Sequence, residues 1–337
     1  MKAFVVTGPH EGGVQEVPDP AAGPGDVVVD IHRVGVCGTD VEFWTGEMAY
    51  LHQGHARYPM RLGHEWCGVV SAVGVDVDDT WLGRRVTGDT MIGCGHCARC
   101  LSGRHNVCED RVEVGIRGGF PGALAEQLAV PASALFALPD SVDDGAGAMV
   151  EPGGNALRSV QAAALSPGDR VLVLGNGTIG LLAAEFARAD GVEAHLMGRS
   201  AASLEFARTL GFPGLWLQSE LPALPWDAVI DASNAAALPA LALELVEPGK
   251  RVVYVGLAGS PSLVDTRTLV LNDVTAVGIL AASQGLAETI EHYACGYVDP
   301  RPLVAATVGL DRAGDVLSGW RPDNASGAPK LHIDPRL

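Results

Sequence analysis

Four of the seven cysteines crowd one short stretch in the spacing C-x2-C-x2-C-x7-C, namely Cys94, Cys97, Cys100 and Cys108. Four thiolates that reach one point from a tight loop indicate a closed tetrahedral Zn(II) site or an iron–sulfur site, and not a disulfide framework. Such a site keeps no open coordination position for a substrate. The cluster is therefore a candidate structural site, and Cys37 stands apart from it in the sequence.

Cys37 opens the tetrapeptide Cys37-Gly38-Thr39-Asp40, and Gly63-His64-Glu65 and Glu151-Pro152 follow downstream. One thiolate, one imidazole and one carboxylate leave room on a catalytic Zn(II) for water or substrate. Each residue taken singly also has an ordinary explanation. A lone cysteine after a valine-rich strand often fills a core, and Glu151 could be a surface carboxylate at a domain junction.

A second motif sits in the middle of the chain, where an apolar run ends in Gly175-Asn176-Gly177-Thr178-Ile179-Gly180. The run predicts a strand, and a helical pattern follows at once, which is the context that a dinucleotide-binding loop requires. The three glycines would serve the tight turn, the close approach of a pyrophosphate and the packing of helix on strand. The helix amino terminus would then direct its free N–H groups at the phosphates.

The end of the next predicted strand indicates which nicotinamide cofactor fits. NAD sites usually carry an acidic residue there, but this chain has Gly198-Arg199-Ser200. Arg199 can pair with the 2′-phosphate of NADP, and Ser200 can donate a hydrogen bond to it. The sequence favours NADP, with NAD still possible. The alternative is that Arg199 stacks on the adenine or is solvated.

The elements that must position these residues fall into two classes. Short valine-rich segments broken by turns fill the first 150 residues, whereas apolar strands alternate with helical patterns from about residue 153 to 283. We therefore expect an α/β protein in which a doubly wound parallel sheet is inserted into a β-rich domain. The expected boundaries are 1–152 and 284–337 for the β-rich domain and 153–283 for the dinucleotide-binding domain.

Composition excludes several classes of function. The chain has 337 residues and a formal net charge of −17, and it offers no basic stripe for nucleic acid. This also disfavours a nucleic-acid zinc ribbon as the role of the four clustered cysteines. No segment has membrane-spanning length, and no signal peptide is recognisable. We expect a cytoplasmic protein with reduced thiols and a small-molecule substrate.

Taken in order, these motifs resemble the zinc-dependent medium-chain dehydrogenase/reductase family, in which a Rossmann domain interrupts a GroES-like catalytic domain. The resemblance covers nearly the whole chain. It implies a catalytic zinc held by Cys37, His64 and Glu151, with Glu65 beside the metal and able to exchange. It also implies a structural zinc in the four-cysteine lobe, giving two zinc ions per chain. Asp40 would orient His64 through its second ring nitrogen.

The same resemblance implies hydride transfer from a zinc-bound alkoxide to the nicotinamide ring. Thr39 would accept the substrate proton. Many family members have a histidine five residues after the ligand cysteine, and this chain has Glu42. Glu42 could relay protons, bind substrate hydroxyls or simply face solvent.

The motifs are similar to the sugar and polyol branch of the family, so the predicted reaction is NADP-dependent oxidation of a sugar, polyol or cyclitol. The alternatives are a threonine-type or simple secondary-alcohol dehydrogenase, or a non-catalytic NADP-binding module of the same fold. The apolar run Val274–Leu280 would be the exposed edge strand of the inserted sheet. Pairing this edge with a second subunit would cover it, which predicts a homodimer or homotetramer.

Overall fold

Alternating buried positions in the amino-terminal third produce a β-rich unit. The computed structural model describes residues 1–337. This unit comprises residues 1–151, 286–294 and 299–337. Its strands are β1 (Lys2–Gly8), β2 (Glu11–Glu16), β3 (Asp26–Gly35), β4 (Glu65–Val73), β5 (Arg85–Gly88), β6 (Met91–Ile92), β7 (Val112–Glu113), β8 (Gln127–Pro131), β9 (Leu135–Ala137), β16 (Val304–Gly309) and β17 (Lys330–Asp334).

Strand β3 organises the main sheet of this unit. The order is β16-β17-β3-β4-β5-β9, and β8 also pairs with β3. All of these pairings are antiparallel except β16 with β17. Two small antiparallel pairs, β1 with β2 and β6 with β7, complete the strands. Fully buried Phe43, Leu62, Trp66, Leu124 and Leu128 fill the core, so the segments next to the candidate metal ligands are held by packing.

The β-rich unit also contains several short helices. They are α1 (Gly38–Thr45), α2 (Ala49–His52), α3 (Ala98–Leu101), α4 (Asp144–Gly147), α10 (Leu286–Ala294) and α11 (Ala313–Leu317), and α5 (Val150–Ala163) begins here. Cys37 is the N-cap residue of α1, and Gly46 ends the helix in the left-handed conformation (φ 83°) that glycine accepts without strain. The predicted ligand Cys37 thus lies at the junction of β3 and α1.

The second unit is a parallel sheet with helices in the crossovers, and it comprises residues 152–285 and 295–298. Its strands are β10 (Arg170–Leu174), β11 (Glu193–Gly198), β12 (Gly214–Leu217), β13 (Trp226–Asp231), β14 (Val246–Tyr254) and β15 (Thr275–Gly278). Its helices are α6 (Thr178–Ala189), α7 (Ala201–Thr209), α8 (Leu238–Leu245) and α9 (Thr266–Leu271). Leu172, Leu174, Trp226, Val229 and Val252 lie in its core.

The strand order β12-β11-β10-β13-β14-β15 is that of a doubly wound dinucleotide-binding sheet. All five pairings are parallel. The order reverses direction between β10 and β13, which is where such sheets bind ligands at the carboxyl ends of their strands. The predicted α/β fold class is confirmed.

Two elements of this unit, one strand and one helix, were not predicted from the sequence. Strand β12 has only four residues, three of them half-buried, and helix α9 has six residues with none buried. Both are too short for a periodic pattern to develop. Residues 295–298 group with the parallel sheet, although they follow α10 of the β-rich unit in the sequence. None of the helices combines the length and apolar character that a membrane crossing requires.

Candidate active site and cofactor loop

Three predicted residues converge in the β-rich unit. The Sγ of Cys37, a ring nitrogen of His64 and a carboxylate oxygen of Glu65 all lie within 4.8 Å of one another. Cys37 follows the last residue of β3 by two positions, His64 directly precedes β4, and Glu65 begins β4, where it pairs with Gly35. The antiparallel pairing of β3 with β4 therefore brings together residues that are 27 positions apart in the sequence.

Asp40 connects these two segments. One of its oxygens accepts the backbone N–H of Cys37 at 2.9 Å, and the other accepts the backbone N–H of Gly63 at 3.2 Å. His64 Nδ1 lies 3.5 Å from the same Asp40 oxygen, an electrostatic contact without hydrogen-bond geometry. Asp40 thus faces Nδ1 of His64, which orients the ring so that Nε2 is available as a ligand.

Burial and neighbouring charges shift the pKa values of His64 and Asp40 in opposite directions. Burial alone would lower the pKa of His64, but Asp40 and Cys37 raise it well above its ordinary value. For Asp40, burial raises the pKa, but His64 and the N–H groups of Cys37 and Gly63 together lower it below its ordinary value. The buried Asp40 is therefore held as a carboxylate by its neighbours.

Glu65 has a partner that the sequence did not reveal. Lys330, at the start of β17, donates to both Glu65 carboxylate oxygens, at 2.8 and 2.6 Å, and to the backbone oxygen of Val36 at 3.0 Å. Lys330 and Glu65 are both buried. Burial lowers the pKa of Lys330, but Glu65, together with Cys37 and Asp40, more than reverses this effect and raises the pKa. The two residues are 265 positions apart, so only the complete sheet brings them together.

The charges of the cluster fit a divalent cation. Once a metal has displaced the protons of Cys37 and His64, the Cys37 thiolate, Asp40 and Glu65 would supply three negative charges, Lys330 one positive charge, and the imidazole none. Burying two uncompensated negative charges would be costly, and a zinc ion would balance them. A thiolate, an imidazole and a carboxylate also form a donor set that Zn(II) accepts.

Three further predicted site residues, Thr39, Glu42 and Glu151, lie outside the group formed by Cys37, His64 and Glu65. Thr39 and Glu42 are half-buried on α1. Burial, and secondarily the charge of Glu47, raises the pKa of the Glu42 carboxyl. Glu151 is buried at the start of α5 and does not belong to the group within 4.8 Å.

The four clustered cysteines form a second group whose sulfur atoms all lie within 4.8 Å of one another. The Cys94–Cys100 and Cys97–Cys108 sulfur distances are 4.0 and 3.8 Å. These separations are too long for disulfides and match the roughly 3.8 Å between thiolates that share a tetrahedral zinc. Backbone N–H groups of His96 and Cys97 lower the pKa of Cys94 to about 6, which favours the thiolate that a metal binds.

The predicted glycine loop connects β10 to α6 in the second unit. Gly175 has φ +100°, and a Cβ there would lie 3.0 Å from the backbone oxygen of Ala232. A Cβ at Gly180 would lie 2.0 Å from the backbone oxygen of Gly175, so this position requires glycine. At Gly177, by contrast, a Cβ would meet nothing within 4 Å. The space beside Gly177 is thus open to a ligand, while Thr178 and Ile179 begin α6.

The residues after β11 are compatible with a phosphate. Ser200 is the N-cap of α7, and its Oγ accepts the backbone N–H of Ser203 at 3.2 Å, which leaves the hydroxyl hydrogen free to donate. Arg199 is exposed, and no carboxylate pairs with it. Asn176 donates through its side chain to the backbone oxygen of Ser203, which connects the glycine loop to α7.

Comparison with known proteins agrees with these arrangements. Residues 23–140 match the family model described as the alcohol dehydrogenase GroES-like domain, and residues 178–294 match the one described as zinc-binding dehydrogenase. An L-threonine 3-dehydrogenase of Deinococcus deserti is 31% identical over 311 residues, which is 88% of each chain. The chain belongs to the zinc-dependent medium-chain dehydrogenase/reductase family.

Other members of this family are similarly close. The L-galactonate-5-dehydrogenase of Escherichia coli K12 is 34% identical over 255 residues, or 72% of each chain. The structure of a protein of Sinorhizobium meliloti 1021 described as a zinc-binding dehydrogenase, bound to NADP, superimposes with a TM-score of 0.89 at 29% identity and 99% coverage of both chains. The chain is accordingly an oxidoreductase of the alcohol-dehydrogenase type, as the resemblance predicted.

The buried ion pair between Lys330 and Glu65 should contribute to the stability of the folded protein. In Lys330→Met, the Glu65 carboxylate loses its compensating charge and stays buried. The free energy of unfolding should therefore fall by about 3–5 kcal/mol. Urea unfolding of the metal-free protein measures this change.

The matched control is the double variant Lys330→Met with Glu65→Gln, which removes both charges. It should recover most of the lost stability, because a neutral buried pair costs far less than one unpaired charge. A Lys330→Met variant as stable as the parent protein would show that the pair does not hold this site together.

Proposed function

We propose that the protein is a zinc-dependent, NADP-preferring dehydrogenase that oxidises a secondary alcohol of a sugar, polyol or cyclitol. The alcohol carbon loses a hydride to NADP⁺ and the hydroxyl loses a proton, which yields a ketone, NADPH and H⁺. The observation that carries this proposal is the group of Cys37, His64 and Glu65 within 4.8 Å. The glycine loop after β10 supports the cofactor half of the reaction.

Two zinc ions per chain form part of the proposal. The structural ion would be held by the four clustered cysteines, and the catalytic ion by Cys37, His64 and one carboxylate. Lys330 occupies both oxygens of Glu65. This supports Glu151 as the third ligand, with Glu65 able to exchange with it. When bound, zinc lowers the pKa of an alcohol so that the alkoxide exists near neutral pH.

The chain's own groups would then move the proton. Thr39 lies in the first turn of α1, two residues after Cys37, where its hydroxyl can accept a hydrogen bond from a substrate at the metal. Glu42 lies one turn further along the same helix. Residues three apart on a helix share a face, so Thr39 could pass a proton to Glu42. The raised pKa of Glu42 brings this carboxyl closer to the pH at which such a relay works.

The role of Glu42 can be tested through the pH profile of alcohol oxidation. As the base of the relay, Glu42 must be ionised, so kcat should fall as the pH falls through its raised pKa. Glu42→Gln should lower kcat about 10²-fold and remove this acidic limb.

Glu47→Gln is the matched control, because the charge of Glu47 raises the pKa of Glu42. Removing it should lower the pKa of Glu42 and move the acidic limb to lower pH without a large loss of kcat. An acidic limb that stays in place in both variants would assign the relay to another group.

The cofactor preference rests on Arg199, which has no carboxylate partner, together with the free donor of Ser200. Arg199→Asp should reduce kcat/KM for NADP about 100-fold and improve the use of NAD, because an aspartate repels the 2′-phosphate. Arg208→Gln, which removes an exposed arginine on α7, should leave both values unchanged. A parent enzyme that prefers NAD would contradict the assignment of Arg199.

Two relatives support the substrate class. They are described as acting on galactonate, a polyhydroxylated acid, and on threonine, a hydroxy amino acid. The polyhydroxylated substrate is preferred here, and the threonine-type reaction is the second candidate that these relatives favour. A simple secondary alcohol and a non-catalytic NADP-binding module are the remaining alternatives.

The deciding experiment is a spectrophotometric screen of sugars, sugar acids, polyols, cyclitols, threonine and simple alcohols with NADP and NAD in parallel. Zinc should be measured on the same preparation, and two ions per chain are expected. Turnover of simple alcohols alone would contradict the polyol assignment. A zinc-loaded protein that reduces neither cofactor with any alcohol would instead be a binding module.

The oligomeric state belongs to the proposal as well. Strand β15 pairs only with β14, and Leu263, Val270 and Leu271 near this edge are 79–91% exposed. An unpaired apolar edge invites a further strand, so we expect β15 of a second copy to pair with it in a homodimer or a tetramer of dimers. Sedimentation velocity at micromolar concentration should show at least twice the mass of one chain. A single species with the mass of one chain would exclude the pairing.

A cytoplasmic location is the remaining part of the proposal. All seven cysteines are free, and both candidate metal groups require thiolates, which a reducing compartment preserves. Fractionation of the producing cells would test this, and recovery outside the cytoplasm would contradict it.

A further inference from the structure

The dipeptide Asp89-Thr90 contacts both candidate metal groups of the β-rich unit. It joins β5 to β6, and both of its side chains are buried. His105 of the four-cysteine lobe (residues 94–109) donates through Nε2 to Oδ2 of Asp89 at 2.7 Å. The hydroxyl of Thr90 donates to the backbone oxygen of His64 at 3.2 Å. Two neighbouring residues thus connect the lobe to a segment that carries candidate ligands of the other site.

Backbone hydrogen bonds hold this dipeptide in place. The N–H of Asp89 donates to the backbone oxygen of Ala134 at 2.8 Å, and Oδ1 of Asp89 accepts the N–H of Met91 at 2.9 Å. The backbone oxygen of Thr90 accepts the N–H of Val114 at 2.9 Å. Because buried, closely packed groups transmit strain, a displacement of the Asp89 carboxylate also displaces the neighbouring Thr90 hydroxyl.

His105 lies among the clustered cysteines. It stands between Cys100 and Cys108, and its backbone oxygen accepts the N–H of Cys108 at 2.9 Å. A Cβ at Gly93 would lie 2.7 Å from Sγ of Cys100 and 2.9 Å from Cβ of His105, so the sulfur and the histidine pack against the same glycine. Four thiolates grouped this closely repel one another, and a zinc ion holds them in place. The position of His105 therefore depends on whether the lobe holds its ion.

Other polar side chains of the lobe bond within it. Arg99 donates to the backbone oxygen of Val107 at 3.2 Å and pairs with Glu109 at 2.9 Å, and Ser102 donates to the backbone oxygen of Arg99 at 3.0 Å. These contacts shape the lobe itself. His105, by contrast, reaches a buried carboxylate that lies outside the lobe.

The hydrogen bond from Thr90 restrains the peptide group between two candidate ligands. The backbone oxygen of His64 belongs to the planar unit that continues into the N–H of Glu65. Gly63, the residue before His64, donates its N–H to Asp40 at 3.2 Å. Thr90 and Asp40 thus restrain neighbouring peptide groups of one segment, and the orientation of the His64 ring depends on both.

We propose that Asp89 and Thr90 are positioning residues that couple the two metal sites. Zinc in the four-cysteine lobe fixes His105, and through it Asp89 and Thr90, and thereby raises the affinity of the site at Cys37 and His64 for its own zinc. This inference deepens the proposed function, because it rests on the two zinc ions assigned there. Coupling of two binding sites is reciprocal, so zinc at the catalytic site raises the affinity of the lobe by the same factor.

Chelator competition that starts from the metal-free protein measures the dissociation constants of both zinc ions. The ion that Cys37→Ser no longer binds tightly belongs to the catalytic site, and the ion that Cys100→Ser no longer binds tightly belongs to the lobe. Cys100→Ser should weaken zinc binding at the catalytic site about 10-fold, the size typical of coupled sites and of a lost ligand-orienting contact. An unchanged constant would make the two sites independent and overturn the proposal.

A double-mutant cycle tests the route of the coupling. Asp89→Asn and Thr90→Val should each weaken zinc binding at the catalytic site about 10-fold. Adding Cys100→Ser to either variant should cause little further loss, because the connection is already broken. Thr90→Ser keeps the hydroxyl and should behave like the parent protein. If Cys100→Ser causes as large a loss in Asp89→Asn as in the parent, the coupling does not pass through Asp89 and the proposal is wrong.

Glu109→Gln is the matched control, since it removes a different ion pair of the lobe, that of Glu109 with Arg99. It should leave both the catalytic-site constant and the effect of Cys100→Ser unchanged. Where Cys100→Ser does not fold, the reverse measurement decides. Cys37→Ser should weaken zinc binding in the lobe by the same factor of about 10, and a lobe constant that Cys37→Ser leaves unaffected would contradict the coupling.

Activity measurements separate this inference from the proposed function. Coupled zinc binding in a protein that oxidises no alcohol would support the coupling and contradict the proposed function. Two zinc ions that bind independently to an active dehydrogenase would contradict the coupling alone.

Discussion

The buried carboxylate of Asp40 is the contact on which the metal cluster depends. It joins the start of α1 to the segment that leads into β4, through the backbone N–H groups of Cys37 and Gly63, and it faces the ring of His64. One side chain thus positions a thiolate and an imidazole that come from different strands. The charge of His64 and, secondarily, the two backbone hydrogen bonds also hold Asp40 ionised, so the same contacts that fix the geometry fix the charge.

Lys330 extends this charge arrangement across the sheet. Since β17 pairs with β3 beside Gly35, the lysine at the start of β17 reaches Glu65 from the opposite end of the chain. The lysine neutralises one carboxylate and leaves the remaining negative charge to a metal. The cluster therefore couples folding of the carboxy-terminal strand to the electrostatics of the metal site, and zinc binding should stabilise the folded unit through the same charges.

The parts of the site that residue spacing alone could predict are those built from neighbouring residues, whereas the grouping of Cys37 with His64 was expected only from the family resemblance. The spacing from Cys94 to Cys108 and the glycine loop from Gly175 to Gly180 each depend on one short segment with a known conformational requirement. Lys330 could not be found in this way, because a lysine 265 positions from its partner carries no local signal.

The same contrast separates the two cysteine sites. The four-cysteine group spans 15 residues and uses left-handed glycines, Gly95 and Gly103, to close around one point, so it needs little of the remaining fold. Cys37 and His64 meet only because β3 and β4 pair, and Lys330 joins them only when β17 has docked. A locally closed site can stabilise a loop, but it offers no free coordination position. A site assembled from distant strands can keep one side open, and that is where substrate chemistry can be placed.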